Sequence, residues 1–245
     1  MKILAIEASG PVAGCALLED DILRAEYSVQ FKKKHSQSLV PMMEEVRQIL
    51  ELDLASVDAV ALSKGPGSFT GLRIGAATAK GVGLALGRPI IPVPTVDSLA
   101  YNLWGARGLV CPIMDARRSQ VYTGIYDCSE GIRTIRPQCV VPIADICADL
   151  NEKGSRVIFL GDGVPVYREA VKELMQVPYC FAPAHLSRQR AAAVAALAMS
   201  YYREQGEACF VSADDFRPEY LRKTQAEQER GERRNYSLVE KEAGI

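Results

Sequence analysis

The residues with the most chemical potential are few and scattered. Glu7 closes a short aliphatic stretch, Lys2 to Ala8, and Asp115 closes a second one, Leu109 to Ala116. Two acids at strand ends can hold a hydrated magnesium ion or act as a carboxylate pair. Gly161-Asp162-Gly163 has the look of a short adenosine-binding loop, and also of an ordinary turn. Together Glu7, Asp115, Gly161 and Gly163 are the nucleotide-site candidates. Around them the chemistry thins. The first turn, Glu7-Ala8-Ser9-Gly10-Pro11, keeps one serine and one glycine, but Pro11 has no N–H to offer a phosphate. After Asp115 come Arg117 and Arg118 where a phosphate hairpin needs glycines. No Walker-type G-x-x-x-x-G-K-[ST], G-x-S-x-G elbow or C-x-x-C is present. The two histidines, His35 and His185, do not form an H-x-x-x-H pair, so no metal site is expected. The seven cysteines are odd in number and dispersed, as suits reduced thiols.

The longest special stretch runs Gly65-Pro66-Gly67-Ser68-Phe69-Thr70-Gly71 and on to Gly87. Its first half is a tight glycine loop with Ser68 or Thr70 placed to cap a helix. It could be an anion site or a plain strand-to-helix turn. Along the helix, Gly71, Gly75, Ala79, Gly83 and Gly87 recur every four residues, forming one small-residue face. Glycine inside a helix costs about 1 kcal/mol relative to alanine, so Gly75, Gly81 and Gly83 together cost roughly 3 kcal/mol. A closely approaching backbone would offset that. Upstream, Leu39, Met42, Met43 and Val46 keep helical spacing after His35-Ser36-Gln37-Ser38, with Ser36 or Ser38 as cap and Pro41 in the first turn. Core packing and a partner surface both explain that stripe.

With 245 residues, 48% hydrophobic, the chain can build a sizeable core. A formal net charge of −1 gives no global attraction to nucleic acid or an anionic membrane. No apolar run is long enough to span a bilayer, and the acid at position 7 comes too early for a secretory signal, so a cytoplasmic location is expected. Lys32-Lys33-Lys34 reads as a solvated turn, with a nucleic-acid patch as the alternative.

The elements that position these residues repeat. Strands at Lys2–Ala8, Gly14–Leu18 and Ile22–Phe31 precede the first helix. A strand at Val57–Ser63, the glycine helix, a strand at Pro89–Val93 and a helix from a Thr95 cap to Gly105 complete the first unit. Leu109–Ala116, Gln120–Tyr126 and Arg133–Val141 begin the second. A helix at Ile143–Leu150, a strand at Val157–Gly161, a helix at Pro165–Met175, a strand at Pro178–Phe181 and a helix at Arg188–Arg203 follow. The order β-β-β-α-β-α-β-α therefore occurs twice. It predicts an α/β protein with the duplicated ribonuclease-H-like architecture of actin, sugar kinases and the heat-shock chaperone ATPase (the ASKHA fold). The units are residues 1–105 and 106–206. Residues 207–222 are expected to dock back on the body, and 223–245 to form a charged tail.

Gly65-Pro66-Gly67-Ser68-Phe69-Thr70-Gly71-Leu72-Arg73-Ile74-Gly75 resembles the signature of the bacterial TsaB family, also called YeaZ. Weaker matches are His35-Ser36-Gln37, Asp115-Ala116-Arg117 with Val121-Tyr122, and Pro218-Glu219-Tyr220-Leu221-Arg222. Glu7-Ala8-Ser9 departs from the family's usual Asp-Thr at the first strand end. The resemblance implies a non-catalytic paralogue of the transferase TsaD. With TsaD and the ATPase TsaE, it would support formation of N6-threonylcarbamoyladenosine at position 37 of ANN-decoding tRNAs. It further implies no cofactor on this chain itself, with ATP and metal on the TsaD and TsaE partners. Pairing with TsaD, or with a second copy, would run through two N-terminal helices. The residues assigned to that contact are Leu39, Met42, Met43, Val46, Leu72, Gly75, Ala76 and Ala79, with the loop Gly65, Gly67, Ser68, Thr70 and Gly71 leading into it. Contact with tRNA would be indirect. The alternative is an ATP-dependent transferase or kinase of the same fold acting alone, and a metallopeptidase ranks behind both.

Overall fold

The computed structural model describes residues 1–31 and 35–222. The Lys32–Lys34 turn and the tail from 223 lie outside the described residues. The first sheet contains β1 (Lys2–Glu7), β2 (Ala13–Glu19), β3 (Ile22–Val29), β4 (Ala59–Gly65) and β5 (Ile90–Pro94), in the order β3-β2-β1-β4-β5. The second contains β6 (Leu109–Asp115), β7 (Gln120–Asp127), β8 (Arg133–Pro142), β9 (Val157–Leu160) and β10 (Tyr179–Phe181), in the matching order β8-β7-β6-β9-β10. In each, the hairpin strands run antiparallel and the crossover strands parallel. Two sheets with one topology make the duplicated ribonuclease-H-like fold that the element order predicts.

The helices are α1 (His35–Ile49), α2 (Phe69–Leu86), α3 (Thr95–Tyr101), α4 (Ile143–Lys153), α5 (Val164–Leu174) and α6 (Ala191–Gln205). Strand alternation decides what each helix covers. On one face of the first sheet, Ile6, Val60 and Leu62 meet Leu39, Met42 and Val46 of α1 and Ala76 and Ala79 of α2. On the other face, Ile3, Ala5, Ala59 and Ala61 meet Val194, Leu197 and Ala198 of α6. The second sheet is covered by α4 and α5 through Cys111, Ile113 and Phe159. Its inner face, with Val110, Met114 and Tyr126, receives Val96 and Leu99 of α3.

The two units therefore exchange a helix. The last helix of the second unit seals the first sheet, and α3, from the first unit, lies against the second. A boundary at residue 105 divides the chain but not the packing. The short extended segment before α6 reinforces the exchange. Arg190 donates to both carboxylate oxygens of Glu26 on β3, with Nε–Oε1 at 3.3 Å and Nε–Oε2 at 3.1 Å. Arg188 reaches Gly161 O at 2.7 Å and Gln30 Oε1 at 3.3 Å. Helix α6 thus begins at Ala191, later than Arg188, with Arg190 in extended backbone at its cap.

Other local expectations also shift. Helix α1 starts at His35, which places Pro41 inside it rather than in the first turn. Pro41 has no N–H for the Gln37 carbonyl one turn back. Thr95 is the first residue of α3, not its cap; Pro94 holds the cap position without a side-chain bond. Gly87 terminates α2 as a left-handed cap at φ 63°, so it leaves the helix face on which it was counted. Downstream, residues 211–222 return along the first unit. Val211 bridges Ile90, Ala213 and Phe216 enter the core beneath α2, and Glu219 N donates to Lys64 O at 2.7 Å.

Candidate functional site

Two features stand out: the face made by α1 and α2, and a cleft between the units. Both are organised by the glycine loop. Ser68 caps α2, its Oγ accepting from Gly71 N at 3.3 Å, while Thr70 is exposed and plays no such part. The loop packs directly on the first hairpin. A Cβ at Gly67 would lie 2.2 Å from Ser9 O, one at Gly71 2.1 Å from Ala8 O, and one at Gly65 2.1 Å from Glu219 O. Ser68 N donates to Ser9 O at 2.7 Å. These glycines serve backbone-to-backbone contact inside the chain. His35 belongs to the same arrangement, its Nε2 lying 2.8 Å from Gly10 O and tying the start of α1 to the hairpin.

The small-residue ladder has the same explanation. A Cβ at Gly75 would lie 3.2 Å from both Ala8 Cβ and Leu62 Cδ1, and one at Gly83 would lie 3.0 Å from Arg88 O. The close neighbours that offset these helix glycines are the chain's own. Of the residues assigned to the pairing contact, Leu39, Met42, Val46, Leu72, Gly75, Ala76 and Ala79 are buried within the monomer and Met43 is half-buried. The outward face of the same two helices is different. On α2 it carries Ala77, Gly81 and Leu84; on α1, Val40, 60% exposed, and Ile49, 74% exposed, lie nine residues apart on opposite flanks of the buried stripe. A Cβ at Gly81 would meet nothing within 4 Å.

The cleft has a volume of about 770 Å³ and is lined from both units by Ser9, Gly10, Phe69, Asp115, Arg117, Arg118, Tyr122, Asp162, Tyr220 and Arg222, among others. Glu7 is not in it. Its carboxylate is fully buried, accepting from Ser9 N at 2.6 Å and from the hydroxyls of Ser9 and Ser63. Burial raises its pKa above 4.5 despite those hydrogen bonds. Asp115 does line the cleft, held by Tyr167 OH at 3.0 Å and by Arg117 N at 2.9 Å. The two acids are held by separate partners and do not form a pair. Gly161 and Gly163 are pressed against β6: methyl groups there would lie 2.2 and 2.8 Å from Ile113 O. Their N–H groups are taken by Ser187 O and Ile113 O. Asp162, between them, accepts from Gln189 Nε2 at 3.0 Å, and burial pushes its carboxyl up.

The structure thus brings Asp115, Asp162, Tyr122 and the glycine loop to one cleft and leaves Glu7 out of it; Tyr167 and Gln189, which the sequence does not mark, hold Asp115 and Asp162 from behind. Among the described residues no cluster of metal-ligating side chains occurs, and no helix is long and apolar enough to cross a membrane. All seven cysteines are free thiols.

Two matching sheets flanking a cleft at their strand-end hairpins define a ribonuclease-H-like protein of the ASKHA class. The sequence narrows this. Residues 29–230 match the family model described as TsaD, tRNA N6-adenosine threonylcarbamoyltransferase. The chain is 36% identical over 176 residues to the tRNA threonylcarbamoyladenosine biosynthesis protein TsaB of Bacillus subtilis, covering 71% of this chain and 77% of that one. It is 33% identical over 132 residues to TsaB of Escherichia coli, covering 53% of this chain and 57% of that protein. The solved structure of YeaZ from Pseudomonas aeruginosa superposes with a TM-score of 0.74 at 27% identity, over 90% of this chain and 99% of that one. The chain belongs to the TsaB family.

Proposed function

We propose that this chain is a non-catalytic accessory subunit in tRNA threonylcarbamoyladenosine formation. It pairs with TsaD, joins TsaE in the working complex, and carries no active site of its own. ATP and metal belong to those partners, and tRNA is reached through them. The observation that carries the reading is Gly81. An interior helix glycine costs about 1 kcal/mol, and at Gly75 and Gly83 close packing within the chain accounts for it. At Gly81 nothing does, because the space beyond it is open. A second helix approaching over Ala77, Gly81 and Leu84 would use that space. The same face serves a homodimer in the absence of TsaD.

The cleft supports the accessory reading too. The N–H groups of Ser68, Gly161 and Gly163, which a phosphate cradle would need, already donate to carbonyls of the chain. Glu7, one of the two strand-end acids, is buried between two serines.

Light scattering on a sizing column tests the proposal, with the chain alone and mixed with TsaD from the same organism. A mixed species that forms with wild-type chain and fails with a bulky residue at position 81 supports it. Absence of any mixed species, with nucleotide present or not, overturns it.

A further inference from the structure

The cleft mouth is chemically unlike its floor. The floor has Asp115 and Asp162, and the N–H groups of Gly161 and Gly163 beside them already donate within the chain. At the mouth are three arginines and three aromatic rings: Arg117, Arg118, Arg222, Phe69, Tyr122 and Tyr220. Arg117 is 85% exposed, and its 3.3 Å ion pair with Asp115 uses one corner of a guanidinium that has five donors. Arg222 is steadied by a bond from its Nη1 to Ala116 O, on the opposite unit from the strap that carries it. Residues 117–119 all have positive φ, at 64°, 54° and 57°, a conformation that arginine and serine rarely adopt. Such an outlier run is a reason to look for function at that turn. Across the mouth, the Phe69 and Tyr220 rings stand 4.8 Å apart, Arg73 lies over Phe69 at 3.9 Å from its centroid and donates from Nε to Tyr220 OH at 3.4 Å, and Tyr220 is 40% exposed.

We propose that the cleft mouth holds an unpaired RNA segment, its phosphates on Arg117, Arg118 and Arg222 and a base on the Tyr220 ring. Guanidinium groups beside exposed rings are how single strands are held: charge follows the backbone and aromatic faces take bases. A free nucleoside triphosphate fits worse, because its phosphates would have to sit beside the carboxyl groups of Asp115 and Asp162, and the N–H groups of Ser68, Gly161 and Gly163 already donate within the chain. The proposal deepens the accessory reading, on which it rests for RNA as the nucleic acid. To the route through the partners it adds one direct, auxiliary contact between this subunit and the substrate of the complex.

The test is fluorescence anisotropy of the full chain with a labelled mixed-sequence RNA of about 10 nucleotides, a length within the usual single-strand site size. Three phosphate contacts predict a log affinity against log salt slope of about −2, at about 0.7 per contact. The double variant Arg117→Asn/Arg118→Asn keeps residue types that tolerate positive φ. It should bring the slope to about −0.7 and weaken binding at least about tenfold. Tyr220→Ala should weaken binding at least about fivefold with the slope unchanged. It also keeps the test open if the double variant folds poorly. No RNA binding at low salt, wild-type behaviour of both variants, or ATP binding as tightly as the RNA would each overturn the proposal. Light scattering with the transferase separates the two readings: lost pairing with retained RNA binding counts against the accessory role and leaves the RNA site standing.

Discussion

Gly81→Gln should separate folding from pairing. A Cβ at Gly81 meets none of the described residues within 4 Å, so the new side chain can leave the helix without a clash at its root. Glutamine is a better helix former than glycine by about 0.5 kcal/mol. In a chain of this size that raises Tm by about 1–2 °C. In a close helix-to-helix contact the same side chain overpacks, at a cost of about 1–3 kcal/mol. That is roughly 5- to 150-fold in Kd for TsaD. Scanning fluorimetry reads the first effect and calorimetric titration against TsaD the second. The contrast is Gly75→Gln, which meets Ala8 and Leu62 at 3.2 Å and should unfold the chain before any pairing is measured. A Gly81→Gln protein that loses stability would show that its surroundings are not open. One that pairs with unchanged affinity would remove this face from the contact.

Gly71→Ala places a methyl 2.1 Å from the Ala8 carbonyl oxygen. The loss should be about 3 kcal/mol or more in urea unfolding. Glu7 binds its proton more tightly in the folded chain than in the unfolded one. Its stabilising contribution is therefore whole below pH 4.5 and declines as pH rises from there toward the raised folded value. Glu7→Gln, which cannot ionise, should flatten the fall in stability across that window, as chemical denaturation at a series of pH values would show. Burial pushes the thiols of Cys15, Cys111 and Cys128 up to about 12. Iodoacetamide at about pH 8, near the ordinary thiol pKa, should therefore leave them unmodified until the chain is unfolded, as mass spectrometry would report.

The architecture is legible in the sequence because strand and helix periods alternate in the same order twice, and each sheet needs only that order to reach its topology. The placement of α6 is not. Its Ala-rich sequence is apolar over most of its surface, so periodicity does not say which sheet it covers; contact with both the first sheet and α3 explains that composition. The proposed pairing face is hidden for a related reason. An apolar stripe such as Leu39, Met42 and Val46 reads the same whether it meets the chain's own sheet or a partner. On that proposal Gly81 holds the better signal, since it lies off the four-residue ladder and a Cβ there meets none of the described residues within 4 Å. The cleft is half visible. Asp115 with the two arginines is marked by type and spacing, whereas Tyr122, Tyr220 and Arg222 arrive from separate segments that only folding brings together. Glu7 looks like a metal acid from its strand-end position; the serines that enclose it, at 9 and 63, are far apart in sequence.

On the accessory reading, this chain enables another enzyme and performs no chemistry itself. Reconstituted tRNA modification tests that most directly: TsaD and TsaE from the same organism, unmodified substrate tRNA, threonylcarbamoyl donor and ATP, with and without this chain. Modification should depend on the chain, persist when Asp115 is replaced by asparagine, and be lost with Gly81→Gln. Modification that is abolished by Asp115→Asn in a chain that still pairs with TsaD would contradict the accessory role and place chemistry in the cleft.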